Sequence, residues 1–108
     1  MRNWEVEFSE QAEIDLDNIY RYISDALHEP TTAAKQIDRI ENAIQHLENS
    51  PHRAVIDEDP WKSQGLRLMN IDNYSAFFIL DEPNGIIHIL RISSARRDIK
   101  NIFDETDT

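Results

Sequence analysis

Basic side chains that could bind an anion are concentrated near one end of this chain. The sequence has only 11 lysines and arginines, and four of them fall within ten residues: Arg91, Arg96, Arg97 and Lys100. Guanidinium groups that converge from separate strands can hold a carboxylate or a phosphate through paired hydrogen bonds. The spacing therefore indicates an anion-binding site. The alternative is that these arginines form ion pairs with nearby acids: Asp81, Glu82 or Asp98.

Arg67 is a further candidate for this basic site, although its position has two interpretations. It is out of phase with Leu66 and Leu68, so it shares the opposite face of its strand with Met69 and Ile71. If helices cover the other face of the sheet, Arg67 is simply exposed to solvent. The functional alternative is that it joins the later arginines.

Metal and nucleotide chemistry is not indicated. The four histidines are dispersed along the chain with no pair at ligand spacing on one element: His28, His46, His52 and His88. His88 alternates with apolar neighbours, which favours a half-buried place on a sheet over a catalytic base. Two glycines are too few for a phosphate-binding loop, and there is no cysteine to bind metal as a thiolate. We therefore expect no metal and no cofactor.

Length and charge limit the remaining classes. A chain of 108 residues predicts one domain, spanning 1–108, with a single core. The net charge is −10, and residues 1–50 carry −7 of it, with 11 acids and four bases. Such a surface repels phosphate backbones, so we expect no direct DNA binding by this protein alone. A charged N-terminus without a long apolar run predicts a cytoplasmic protein that makes no membrane contact.

The N-terminal half predicts a strand and two helices. Alternating apolar residues indicate a strand at residues 3–8, and Ser9 follows as a helix N-cap. The first helix has an apolar stripe that includes Leu16, Ile19 and Ile23, and its Asp17 and Arg21 are placed to pair. Pro30 begins a second helix that ends near residue 49. A short connection predicts an antiparallel helical hairpin.

The C-terminal half predicts a sheet. Residues 50–64 have no period and form a loop, after which strands are expected at 66–71, 74–80 and 86–92. Asn84-Gly85 offers two residues that tolerate positive φ, as a tight hairpin turn requires. The prediction is an α+β fold of order β-α-α-β-β-β, with a three-stranded antiparallel meander and a short C-terminal helix at 97–103.

This order, together with certain residues, resembles the ParE/RelE superfamily of toxins from bacterial toxin–antitoxin modules. The similarity extends over nearly the whole chain, and its motifs are Phe8-Ser9 before Ala12, Asp15-Leu16, Ile19, Tyr22-Ile23, Pro30 before Ala33, Leu47 before Pro51, Gly65-Leu66-Arg67, the strand from Tyr74 to Phe78, Ile89-Leu90-Arg91-Ile92, and Arg96-Arg97-Asp98. The resemblance implies a helical hairpin packed on a small antiparallel sheet. It also implies a type II toxin, associated with plasmid stabilisation, that arrests growth when its cognate antitoxin is degraded.

The superfamily divides by target. The RelE-like branch cuts mRNA on the ribosome with basic residues and a proton-transferring group near the C-terminus. Here Met69 and Ser75 stand where that branch tends to carry Lys or Arg, and Phe103 stands where a tyrosine would be expected. The chain is thus more similar to ParE, which implies inhibition of DNA gyrase without catalysis. The alternatives are an mRNA interferase that uses Arg67 and Arg97, or an inactive relative found only in an antitoxin-bound repressor complex.

The resemblance also assigns two contact surfaces. No catalytic residue is expected in a ParE-like toxin, and the basic side chains become target-binding residues: Arg67, Arg91, Arg96, Arg97 and Lys100. The antitoxin is expected to contact apolar side chains beside the helical hairpin: Leu16, Ile19, Tyr20, Ile23 and Phe103. An extended antitoxin segment could also add to an open sheet edge.

Overall fold

The computed structural model of the chain describes residues 4–52 and 60–94. Within these ranges four strands and two helices follow one another as β1 (Glu5–Phe8), α1 (Glu10–Arg21), α2 (Pro30–Gln45), β2 (Arg67–Ile71), β3 (Tyr74–Asp81) and β4 (Ile86–Ser94). This is the predicted α+β order. The predicted C-terminal helix at 97–103 lies outside the described residues.

Both helices continue beyond their α-helical part. A π-helical turn, Tyr22–Ala26, extends α1, and a 3₁₀ turn, His46–Glu48, extends α2 to the predicted end. The predicted pair of Asp17 and Arg21 is confirmed, with 3.0 Å between carboxylate and guanidinium. Three residues connect the two extended helices, so they pack against each other as the predicted antiparallel hairpin.

Ser9 caps α1 and also ties it to the sheet. Its Oγ accepts a hydrogen bond from the Ala12 amide at 3.0 Å and donates one to the Leu90 carbonyl at 2.9 Å. The N-cap predicted from the sequence is therefore confirmed. The contact to β4, 81 residues away along the chain, is a second role that the sequence did not indicate.

Substituting Ser9→Ala should lower the free energy of unfolding by about 2 kcal/mol. The helix N-cap contributes about 1 kcal/mol and the hydrogen bond to the Leu90 carbonyl about 1 kcal/mol. Urea denaturation followed by circular dichroism measures this change. Ser9→Thr, which retains the hydroxyl, is the matched control and should lose much less. An alanine variant as stable as the parent would contradict the double role of this side chain.

The sheet has the strand order β1-β4-β3-β2. Strands β2, β3 and β4 form the predicted antiparallel meander, while β1 lies parallel to β4. The sheet is therefore mixed, and not purely antiparallel as the family resemblance implied. A parallel neighbour requires a long crossover connection, and the helical hairpin with the two following strands supplies it.

The β3–β4 connection differs from the predicted two-residue turn. Asp81 pairs with Ile86, which leaves a four-residue loop between the strands. Gly85 adopts a positive φ of 68°, whereas Asn84 does not adopt positive φ. Asn84 instead donates its side-chain amide to the Asp81 carboxylate at 2.8 Å. Only the glycine fulfils the conformational role that was predicted for both residues.

One face of the sheet packs on the helices and forms the main core. Its fully buried members include Ile40 and Ile44 from α2 and Phe78 from β3. Met69 and Ile71 also belong to this core, whereas Leu66 and Phe77 form a smaller cluster on the other face. Arg67 shares the face of Met69 and Ile71 as predicted, and because the helices cover that face, the alternative of a simply solvent-exposed Arg67 does not hold.

Candidate functional site

A cleft of about 480 Å³ opens between α1, the β2–β3 turn and the ends of β3 and β4. Its walls combine amides, hydroxyls, phenols and one buried ion pair, from Gln11, Asp15, Asn18, Ile19, Tyr22, Asn73, Tyr74, Arg91, Ile92, Ser93 and Ser94. This volume falls within the range of roughly 300–1,000 Å³ that is usual for ligand sites. On its volume and its polar lining, this cleft is the candidate functional site.

The ion pair between Asp15 and Arg91 lies at the base of this cleft. Arg91 donates from Nε to Oδ2 of Asp15 at 2.8 Å and from Nη2 to Oδ1 at 3.1 Å. Only 6% of Asp15 and 5% of Arg91 are exposed. The pair joins α1 to β4 in the bidentate geometry that arginine favours with carboxylates.

Asp15 also hydrogen-bonds to the edge of β4 beyond the point where β1 ends. Pairing of β1 with β4 ends at Phe8 and Ile89, so the next edge groups of β4 need other partners. The Ser9 hydroxyl binds the Leu90 carbonyl, and Asp15 Oδ2 accepts the Ile92 amide at 2.9 Å. The N-terminal turns of α1 thereby continue the edge pairing that β1 begins.

The carboxylate of Asp15 is extensively hydrogen-bonded. Besides its bonds to Arg91 and the Ile92 amide, it accepts a bond from Gln11 Nε2 at 3.1 Å. Because the two formal charges cancel, the base of the cleft is polar but carries no net charge. Arg91 therefore does not add a free positive charge to an anion site.

In this geometry Arg91 has a partner other than the acids of the ion-pair alternative, of which Asp98 lies outside the described residues. Asp81 was one candidate, but its carboxylate interacts with Asn84 and lies 3.8 Å from His88. Glu82, the second, lies beside His52 instead, with 2.6 Å between its Oε1 and the ring Nε2. The carboxylate beside Arg91 comes instead from α1, 76 residues earlier in the chain.

Two tyrosines form the aromatic part of the cleft. Tyr74 begins β3 and is half-buried, while Tyr22 in the π-helical turn is 60% exposed. Burial raises the pKa of the Tyr74 phenol, and the neighbouring Tyr22 phenol raises it further. Both tyrosines line the cleft.

The raised pKa of Tyr74 predicts a loss of stability in alkaline solution. Its contribution is complete below the ordinary tyrosine pKa of about 10 and is lost as pH rises through the higher pKa of the folded state. Tyr74→Phe has no proton to lose. In urea denaturation between pH 8 and pH 11, the variant should lose less stability than the parent. Parallel pH profiles for the two proteins would contradict this prediction.

Of the predicted target-binding residues, the structure describes Arg67 and Arg91. Arg67 is half-buried and pairs in register with Phe78 on the helix-covered face. Arg91 lies in the cleft with Asp15. The other three members of the set lie outside the described residues: Arg96, Arg97 and Lys100.

The predicted antitoxin-binding residues have unequal access to a partner. Tyr20 is 39% exposed, whereas Ile23 is 6% exposed. Leu16 and Ile19 are half-buried and pack against the main core. Phe103 lies outside the described residues. Larger apolar exposure occurs at three residues that the sequence analysis did not select: Ile14, Tyr22 and Leu27.

The predicted place of His88 is confirmed, since it is half-buried within β4. Its neighbours Ile87 and Ile89 point into the main core, so its ring lies on the face away from the helices. The two ring nitrogens lie 3.8 Å from Glu7 on β1 and 3.8 Å from Asp81 on β3.

The role of Asp15 was missed, although the sequence carried a signal for it. Asp15 follows Ala12 by three residues and precedes Ile19 by four, so it falls within the apolar stripe of α1. An acid in such a stripe predicts a buried partner, because an unpaired buried charge is costly.

The helices of the described ranges lack the length and apolar character needed to cross a membrane.

Three solved structures of similar fold are a toxin or a toxin–antitoxin system. The chromosomal ParDE system from P. aeruginosa has 24% identity and a TM-score of 0.72, covering 87% of this chain and 98% of that one. RelBE2 from Mycobacterium tuberculosis has 20% identity and a TM-score of 0.61, covering 87% and 93%. A mutant of E. coli toxin RelE in the free state has 9% identity and a TM-score of 0.62, covering 89% and 86%.

At these identities the three structures establish the fold, which is that of ParE/RelE-type toxins. The sequence itself places the chain more narrowly. It belongs to the ParE toxin family of type II toxin–antitoxin systems, parDE, whose model matches residues 6–99. A comparison with curated proteins gives no significant match.

Proposed function

We propose that this protein is a toxin that inhibits DNA gyrase without catalysis and is neutralised by a cognate antitoxin. The observation that carries the proposal is the match of residues 6–99 to the ParE family. In this proposal the toxin acts by binding gyrase, so recognition of the target replaces bond-breaking chemistry.

The environment of Met69 and Ser75 supports a binding role over RNA cleavage. Met69 packs in the helix-covered core, and Ser75 is 5% exposed and donates to the Asn70 side chain at 2.9 Å. Neither residue supplies a positive charge to a phosphate. Phe103, at the position of the expected tyrosine, cannot transfer a proton.

The target contact is proposed for the basic residues near the C-terminus, principally Arg96, Arg97 and Lys100, together with Arg67. Arg91 contributes to this surface indirectly. Its bond to Asp15 fixes the end of β4, from which the basic segment continues. Its role is therefore positioning.

The antitoxin contact is proposed for the predicted apolar side chains of the first helix, and among the described members of that set Tyr20 is the most exposed. Relatives of this fold have been solved as toxin–antitoxin complexes, including RelBE2 and the E. coli DinJ–YafQ complex. The acidic charge of residues 1–50 favours basic groups in the segment that binds there.

Controlled expression in bacteria tests the proposal. Induction should arrest growth and leave plasmid DNA relaxed, because inhibited gyrase no longer introduces negative supercoils. Co-expression of the protein encoded by the neighbouring small open reading frame should restore growth. Arrest with normal supercoiling and cleaved mRNA would overturn the proposal and favour an interferase.

Two variants distinguish binding residues from general charge effects. Arg97→Ala should reduce growth arrest at equal protein level, whereas Lys35→Ala, which removes an exposed charge from α2, should leave it unchanged. Equal toxicity of the two variants would contradict the assignment of the target contact to the C-terminal basic segment.

A further inference from the structure

Of the described apolar residues predicted to contact the antitoxin, only Ile19 also lines the cleft beside α1. Its α1 members follow one another at helical spacing on one side of the helix: Gln11, Asn18 and Tyr22. No α2 residue lines it in the part of the chain that the structure describes.

The composition of the cleft favours an aromatic ligand with polar edges. Tyr22 and Tyr74 offer ring surfaces, and aromatic pairs contribute roughly 0.5–1.5 kcal/mol beyond the burial of area. Amide groups of Asn18 and Asn73 lie at the same opening and can both donate and accept hydrogen bonds. Such a lining suits a planar group that carries a hydroxyl or an N–H at its edge.

Charge selects against an anionic ligand. The ion pair of Asp15 and Arg91 is neutral overall, so it gives a phosphate no net attraction. The helical segment 10–26 that forms one wall contains five acids and one base. A nucleic acid strand would meet net repulsion here, whereas a segment with lysine or arginine next to its aromatic residue would be attracted.

We propose that this cleft is a docking site for an aromatic side chain of a polypeptide partner, with a basic residue on either side of that aromatic residue. The ring enters between Tyr22 and Tyr74, its polar edge meets the asparagine amides, and the flanking cations face the acidic surface of α1. This inference stands independently of the proposed action on gyrase.

Amide chemical shifts of the whole protein, made by cell-free synthesis with ¹⁵N label, test the site. The probe is the blocked tripeptide Arg-Tyr-Arg, titrated into the millimolar range. We expect saturable shifts at Asn18, Tyr22, Asn73 and Ser93. Arg-Ala-Arg tests the aromatic ring, Glu-Tyr-Glu tests the flanking charge, and adenosine monophosphate tests the nucleotide alternative.

Two variants locate the binding. Tyr22→Ala should weaken binding of Arg-Tyr-Arg by about two- to tenfold, through loss of one aromatic contact. Leu27→Ala, which removes another exposed apolar side chain just beyond the same helical segment and outside the cleft, should leave affinity unchanged. Because Tyr22 is 60% exposed, the fold should tolerate its loss, and the unperturbed signals of the spectrum report this directly.

Several outcomes would overturn the proposal. These are no saturable shifts with Arg-Tyr-Arg, equal shifts with Arg-Ala-Arg, tighter binding of Glu-Tyr-Glu or of the nucleotide, and unchanged affinity in Tyr22→Ala. None of these readouts involves gyrase or growth, so failure here is distinguishable from failure of the proposed function.

Discussion

Replacing Asp15 with alanine is expected to lower the free energy of unfolding by about 3–5 kcal/mol, the usual cost of leaving a buried charge without its partner. The substitution leaves the Arg91 guanidinium in a site where only 5% of the residue is exposed. It also removes the acceptor of the Ile92 amide. Native stability is typically about 5–15 kcal/mol, so this variant should be close to unfolding.

Urea denaturation of the parent, Asp15→Ala, Arg91→Met and the double variant Asp15→Leu/Arg91→Met measures this effect. The double variant should be more stable than Asp15→Ala, because apolar replacement of both partners removes the unpaired charge. A loss below about 1 kcal/mol in Asp15→Ala would match an exposed ion pair and contradict the buried one described.

The substitution Phe78→Ala should be comparably destabilising, by about 3–5 kcal/mol, because it removes a large side chain from a close-packed core. Phe78 is completely buried and packs in the helix-covered core. Its strand neighbours Arg67 and Ile89 sit on either side of it in the sheet. The surrounding backbone is fixed by strand pairing and can collapse only partly into the cavity.

The matched control is Ile79→Ala, one residue along β3 on the opposite face. Ile79 is half-buried in the smaller cluster, so its loss should cost markedly less. Thermal and urea denaturation of both variants give the comparison. Equal losses would contradict the assignment of the principal core to the helix-covered face.

Local signals in the sequence predicted most of the fold. Ser9, Pro30 and the apolar stripes determine the helices because capping, fixed φ and amphipathic periodicity act within a few residues. Strand-like apolar runs predicted the three strands of the meander in the same way. The parallel position of β1 beside β4 did not, since it depends on contacts between residues more than 80 positions apart.

The sequence left the surroundings of Arg67 open for a related reason. Period-two alternation separates Leu66 from Arg67, but it does not state which face the helices cover. Both faces of β2 carry apolar residues, with Leu66 and Leu68 on one and Met69 and Ile71 on the other. Only the docking of α1 and α2 decides between them.

The candidate site was the least predictable part. Asp15 and Arg91 are 76 residues apart, and neither spacing nor composition pairs them. The arginine was selected because it lies in a basic cluster, although its charge is neutralised within the cleft. The exposed aromatic ring of Tyr22 depends on the π-helical turn, which has no recognised signal in this sequence.

The proposed function requires that this ParE-family chain act on gyrase and not on RNA. The most direct test adds the purified protein to a gyrase supercoiling reaction and, separately, to ribosomes translating a defined mRNA. We expect dose-dependent loss of supercoiling, reversed by the antitoxin, with the mRNA intact. Cleavage of the mRNA with full gyrase activity would contradict it.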